Sequence, residues 1–228
     1  MKNKTLFSGL NKFEAALWAV SSISIILSFV FSGGKDVLTL IASLIGVTSL
    51  IFLAKGYVVG QVLMLVFSVF YGIISFKFRY YGEMITYLGM TAPVAAVTAV
   101  SWHKHPYKGT RVVEIKKLRK SECVKLIVFT AAVTLAFYFI LKALGNNNLI
   151  FSTVSIATSF AASYLTYLRS PYYAIGYALN DVVLIFLWVL ASFEDKKYIP
   201  MVVCFFMFFA NDLYGYINWK KMQRNQSE

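Results

Sequence analysis

The residues of this chain best suited to chemistry are two amide–carboxyl pairs set in apolar surroundings. Asn180 and Asp181 interrupt GYALNDVVLIFLW (176–188), and Asn211 and Asp212 interrupt FFANDLYGYINW (208–219). An ionisable group at a bilayer centre costs about 2.5–3.5 kcal/mol on insertion scales, so such groups face cavities or partners rather than lipid. Amides donate and accept hydrogen bonds, and aromatic rings beside them can stack on a flat, polar-edged ligand. For a cationic ring, aromatic faces add cation–π attraction and a carboxylate adds Coulomb attraction in low dielectric. Bond-making chemistry needs other constellations. The sequence has no H-E-x-x-H, no G-x-S-x-G and no paired aspartates at helical spacing, so an enzyme is not expected.

Helical spacing sorts these residues into faces. Tyr173, Tyr177, Asn180, Leu184 and Trp188 share one, with Asp181 at its margin. Met207, Asn211, Tyr214 and Asn218 share another, while Asp212, Gly215 and Trp219 lie about 100° around that helix. Gln61, Ser68, Tyr71 and Ser75 fall together on a third. The expected substrate-binding set is therefore Asn180, Asn211, Gln61, Tyr177, Trp188, Tyr214, Tyr173 and Asp181 around one hollow halfway through the membrane. The competing role for each amide is a hydrogen bond to a neighbouring helix. Asp212, off the amide face, is expected to brace helix packing. Trp102, Tyr198 and Trp219, near span ends, are expected to anchor at the lipid–water interface.

The elements that must carry these residues follow from composition. Of 228 residues, 59% are hydrophobic and only 14% charged, with mean hydropathy +0.67, so lipid must solvate most of the chain. A ruler of roughly 20 residues finds eight spans, near 14–33, 36–55, 57–76, 83–102, 124–144, 149–168, 171–193 and 198–219. The uncharged run from Ala15 to Gly34 is long enough to span and lacks a cleavage motif, so an uncleaved first helix is expected. With both termini inside, 16 of the 22 basic residues fall on the inner side, among them Lys2, Lys4 and Lys55. Arg79 is one of the six left outside. The positive-inside rule then sets the N- and C-termini in the cytoplasm. The net charge of +12 sits in short segments between apolar stretches, a placement that marks orientation in a membrane and excludes nucleic acid as partner.

A shift of 116 residues lays IASLIGVTSLIFLAKGYVVG (41–60) over ATSFAASYLTYLRSPYYAIG (157–176), and a one-residue slip then aligns GIISF (72–76) with VLASF (189–193). Three spans plus one connector lie between equivalents, so both units enter the membrane in the same direction. The expected fold is an all-α membrane protein: two parallel three-helix bundles joined by a linker helix, plus one extra N-terminal transmembrane helix, eight spans in all. The divisions are 1–35 for the extra helix, 36–103 for the first bundle, 104–148 for a basic cytoplasmic loop and the linker, 149–219 for the second bundle and 220–228 for a cytoplasmic tail.

Other features carry less. HKH (103–105) lacks partners for a metal, and Cys123 and Cys204 lack ligand spacing, so neither metal nor cofactor is expected. Glu83 is expected to stabilise the start of the fourth helix, which leaves no third acid within the membrane. Gly56 and Gly60 suggest close helix packing.

YGEMITYLGM (81–90), NDLYGYINWKKM (211–222) and the mid-span Asn180 resemble the PnuC family of nicotinamide riboside transporters. The resemblance runs from about residue 37 to 222, and Asn211, Tyr214, Gly215 and Trp219 form its most specific motif, N-x-x-Y-G-x-x-x-W. It implies an architecture like that of the SWEET sugar transporters. It also implies facilitated diffusion (uniport) of a vitamin-like nucleoside across the cytoplasmic (inner) membrane, with trapping by a cytosolic kinase. Two departures stand out. A W-x-x-W common in the family is replaced by Tyr173 and Gly176, and the fourth span ends without the N-x-x-Y-G of other members. Thiamine and deoxynucleosides therefore stay open as substrates, as does a vitamin-binding subunit of a multi-component transporter. Expected partners are a small nucleoside or vitamin, membrane lipid and, as an option, further copies of the chain in a homo-oligomer.

Overall fold

A computed structural model describes residues 9–77, 80–146 and 148–228. Lys2, Lys4 and Arg79, used in the charge count, lie outside the described residues. The chain forms α1 (Lys12–Phe31), α2 (Val37–Ala54) and α3 (Val58–Lys77), then a fourth span made of α4 (Tyr81–Thr86), a π turn (Tyr87–Thr91) and α5 (Ala92–Lys104). It continues through α6 (Lys120–Ala143), α7 (Leu149–Tyr167), α8 (Tyr173–Glu194) and α9 (Ile199–Ser227). Among the described residues, eight helical segments are long and apolar enough to cross a membrane, as the hydropathy requires. The helix starts follow local chemistry. Asn11 and Glu14 form a reciprocal capping box at α1, and the Asp36 side chain caps α2 through the Thr39 amide.

In each bundle the middle helix packs on both others: α3 on α2 and α5, α8 on α7 and α9. The bundles meet along two seams, α2 with α9 and α5 with α7. The extra helix α1 covers the first seam, touching α2 and α9. The linker α6 packs on α7 and buries only Leu141, leaving apolar side chains such as Ile127 and Leu135 for lipid.

Both tight turns end their helices in the same way. Leu53 and Phe52 carbonyls accept from the amides of Gly56 and Tyr57, and Thr166 and Leu165 carbonyls accept from Arg169 and Ser170. The residue in the left-handed region is Gly56 (φ +69°) in one turn and Arg169 (φ +58°) in the other. The following helix then returns close: a Cβ on Gly60 would lie 2.6 Å from the Leu53 amide nitrogen, and one on Gly176 would lie 2.9 Å from the Ala162 Cα. Gly60 and Gly176 are the pair that the 116-residue shift aligns. Of the two glycines at the first turn, Gly60 serves packing and Gly56 serves the turn.

These turns share one end of the molecule with the loop before α6 and the far end of α9. Val113 is buried there, its amide bonded to the Gly56 carbonyl, and the Lys116 amide reaches the Arg169 carbonyl. Past residue 219, where a tail was expected, α9 stays helical to Ser227. The Gln226 side chain accepts from the Ile115 amide (2.7 Å) and donates to the Val113 carbonyl (3.1 Å). The basic loop thus ties together the turns of both bundles.

Candidate functional site

Between the bundles, residues from six helical segments enclose a small polar void. Leu50 (α2), Met64 and Phe67 (α3), and Tyr87 and Thr91 (the π turn) form one side. Ser159 (α7), Tyr177, Asn180 and Asp181 (α8), and Phe208 and Asp212 (α9) form the other. Its volume is about 20 Å³, room for a single water and far below the roughly 300–1,000 Å³ of sites that hold small molecules. The conformation is therefore contracted around its centre, and a ligand needs the bundles to part.

Pseudo-symmetric pairs close both ends. At the loop end, Trp102 and Trp219, 117 positions apart, are fully buried with ring centroids 5.3 Å from each other. Each indole donates across to the other bundle, Trp102 to the Thr166 carbonyl (3.1 Å) and Trp219 to the Leu53 carbonyl (2.8 Å). Those are the equivalent carbonyls of the two turns. At the opposite end, Tyr71 and Trp188, again 117 positions apart, bond directly, indole Nε1 to phenol oxygen at 3.0 Å. Equivalent residues touch one another only near a two-fold axis, so this pseudo-axis runs through both aromatic pairs with the void between them. Trp102 and Trp219 were expected as anchors at the lipid interface. Their indole N–H groups instead satisfy backbone acceptors in the bundle contact, which draws them inward.

Of the eight residues expected at the site, three line the void: Tyr177, Asn180 and Asp181. The Asn180 side-chain oxygen accepts from Thr158 (2.9 Å) and Ser155 (3.2 Å), and its Nδ2 has no partner among the described residues. Two hydroxyls of α7 therefore fix the amide through its oxygen. The Tyr177 hydroxyl is 3.0 Å from the Ser163 hydroxyl. Asp181 and Asp212 lie together on the wall of the void, and Oδ2 of Asp181 is buried without a partner. Asp212 was expected merely to brace packing; it belongs to the cavity wall.

The other five residues lie elsewhere. Asn211 donates to the Ser21 hydroxyl of α1 (3.0 Å) and the Met207 carbonyl (2.8 Å), turning from the void to the seam. Tyr214 donates to Glu14 of α1 (2.8 Å), which also pairs with Lys55 at 2.8 Å. The extra helix has captured both. Tyr173 packs on Trp219 at the loop end, centroids 4.8 Å apart, and Trp188 is engaged with Tyr71 at the other end. Gln61 is buried in α3 with its Nε2 unpartnered, but it is not part of the cavity lining. Hydropathy alone does not separate a face turned to a cavity from one turned to a partner helix, because both bury polar groups.

Sequence reasoning missed Tyr87 and Thr91, and one signal pointed to them. Pro93 has no amide hydrogen for the carbonyl four residues before it, and the helix widens just ahead of it, the Ala92 amide reaching back to the Tyr87 carbonyl. Such π turns recur at functional sites. Glu83 also departs from expectation. It lies in the first turn of α4 but is 1% exposed, with both oxygens unpartnered among the described residues. With Glu14 it makes four buried acids among the described residues, where only Asp181 and Asp212 were expected within the membrane.

A contracted polar site between two like-oriented helical bundles is the layout of a secondary transporter, and the chain is a multi-pass membrane protein of that class. It belongs to the nicotinamide mononucleotide transporter family, which matches residues 36–221, and so it is a transporter rather than an enzyme. It is 28% identical over 230 residues to the nicotinamide riboside transporter PnuC of Neisseria mucosa, covering 98% of this chain and 87% of that one. To the protein of the same description from Haemophilus influenzae it is 26% identical over 217 residues, covering 94% and 92%. A crystal structure of the vitamin B3 transporter PnuC superposes with a TM-score of 0.86 at 26% identity, over 97% of this chain and 96% of that one.

Proposed function

We propose that this chain carries nicotinamide riboside across the cytoplasmic membrane by facilitated diffusion, with both termini and the basic loop in the cytoplasm and trapping by phosphorylation after entry. The observation that carries the reading is the central void itself. Tyr177 and Tyr87 offer ring faces, the free amide of Asn180 and the hydroxyl of Thr91 offer hydrogen bonds, and the carboxyl pair offers negative charge to a pyridinium. Uptake of a nucleoside described for relatives of nearly equal length supports it. In transport, opening of Trp102–Trp219 would expose the void to one side, and opening of Tyr71–Trp188 to the other. No phosphate-binding loop occurs in the sequence, so ATP is not hydrolysed by this chain.

The test is uptake of radiolabelled nicotinamide riboside by proteoliposomes holding this chain alone, without an imposed pH or voltage gradient. Label entering unmodified and levelling at equal concentration supports uniport. Accumulation driven by an imposed pH difference would show coupling, and no uptake without additional proteins would favour a binding subunit. Thiamine and a deoxynucleoside belong in the same assay as competitors, because Tyr173 and Gly176 replace a tryptophan pair and neither lines the void.

A further inference from the structure

We infer that the Asp181–Asp212 pair is the counter-charge that makes this site select a ligand with a permanent positive charge in its ring. The inference rests on the substrate reading above and specifies what in the ligand is recognised. The two carboxyls come from different helices, α8 and α9, and meet at the cavity wall. Two carboxyls on the wall of one small void do not both ionise, so the pair has a single negative charge to offer a ligand. No lysine, arginine or histidine lines the void, so the lining supplies no cation to neutralise that charge. The ionisable groups that face the pair are Cys204 and the phenols of Tyr87, Tyr173 and Tyr177, none of them a cation.

Two further observations point to an absent partner. Oδ2 of Asp181 is buried with nothing bonded to it, and so is the hydroxyl of Thr91 on the facing π turn of the other bundle. Buried polar atoms are rarely left so in a purely structural role. A buried charge wants an opposite charge within reach, and a monocationic ring between Tyr87 and Tyr177 would supply it. A neutral ring of the same shape would keep the stacking but leave the carboxyl pair uncompensated. The site would then discriminate by charge as well as by outline.

The experiment compares two forms of one molecule, nicotinamide riboside with its cationic ring and its uncharged 1,4-dihydro form, by calorimetry on the full chain in detergent. Wild type should bind the cationic form about tenfold or more tightly than the neutral form. In D181N and D212N that preference should fall to within about threefold, chiefly through weaker binding of the cation. Retained binding of the neutral form reports that each variant is folded; should one fail to fold, the other and the wild-type ratio decide. Equal wild-type binding of both forms overturns the inference while leaving the substrate reading intact. Undiminished preference in the variants overturns it as well. Binding of neither form by wild type removes the substrate reading, and the inference falls with it.

Discussion

Asn180→Ala and Asn211→Ala form a matched pair of perturbations: two buried amides on adjacent helices, one lining the void and one turned to α1. Asn180 has its oxygen committed to Ser155 and Thr158 and its nitrogen free. Truncation removes the ligand's partner and also the group that Ser155 bonds to, while Thr158 keeps backbone acceptors at Val154 and Ser155. A lost hydrogen bond in a site without water costs about 1–3 kcal/mol, which is roughly a 5- to 150-fold loss of affinity. Asn211 instead bonds Ser21 and Met207. Its truncation should leave affinity within about twofold and cost about 1 kcal/mol of helix–helix attachment, a fall of roughly 2–4 °C in Tm. Calorimetry with nicotinamide riboside and a thermal-shift scan on the same preparations measure both quantities. Equal loss of affinity in the two variants would refute the distinction between cavity and seam, and unchanged affinity in Asn180→Ala would remove the site.

Other changes probe the frame around the void. Gly60→Ala and Gly176→Ala each set a Cβ under 3 Å from the preceding helix; overpacking should cost about 1–3 kcal/mol in either, read as a lower Tm, and a neutral result would mean the helices are not in close contact. Glu14→Gln leaves Lys55 with 15% of its side chain exposed and no carboxylate partner. It should lower Tm by an amount equivalent to about 1–3 kcal/mol, less than for a fully buried pair because the ammonium can reach water, with ligand affinity unchanged. Trp188→Phe removes the indole donor to Tyr71. It should loosen the end opposite the loop, seen as faster labelling of a cysteine introduced at Thr91 in a variant lacking Cys123 and Cys204; an unchanged labelling rate would show that the pair is not a gate.

The fold was legible because lipid imposes a coarse rule. Twenty apolar residues between charged or glycine-rich breaks read as a span, and the register of 41–60 over 157–176 returns in the structure at Gly60 and Gly176, each close against the preceding helix. The one-residue slip beyond Gly60 is visible as well, since Tyr71 and Trp188 meet at a spacing of 117. The site was legible only in part. Tyr177, Asn180 and Asp181 lie on the expected face of α8, yet Asn211 and Tyr214 on the expected face of α9 are held by Ser21 and Glu14. Periodicity ranks the faces of one helix but carries no information about which neighbour each will meet. Asp212 differs from expectation for the same reason: 100° around α9 from Asn211, it lines the void beside Asp181. Trp102 and Trp219 look like interfacial anchors by position, and only the third dimension reveals that each finds a carbonyl in the other bundle.

A structure with nicotinamide riboside bound would locate the binding site outright. The void between the bundles should be enlarged from about 20 Å³ to hold the ligand, with the ring against Tyr177, a hydrogen bond from the Asn180 amide, and the Asp181–Asp212 pair near the pyridinium. Ligand bound instead along the apolar groove of Val97, Phe160 and Tyr164 between α5 and α7, with the central void still closed, would contradict it.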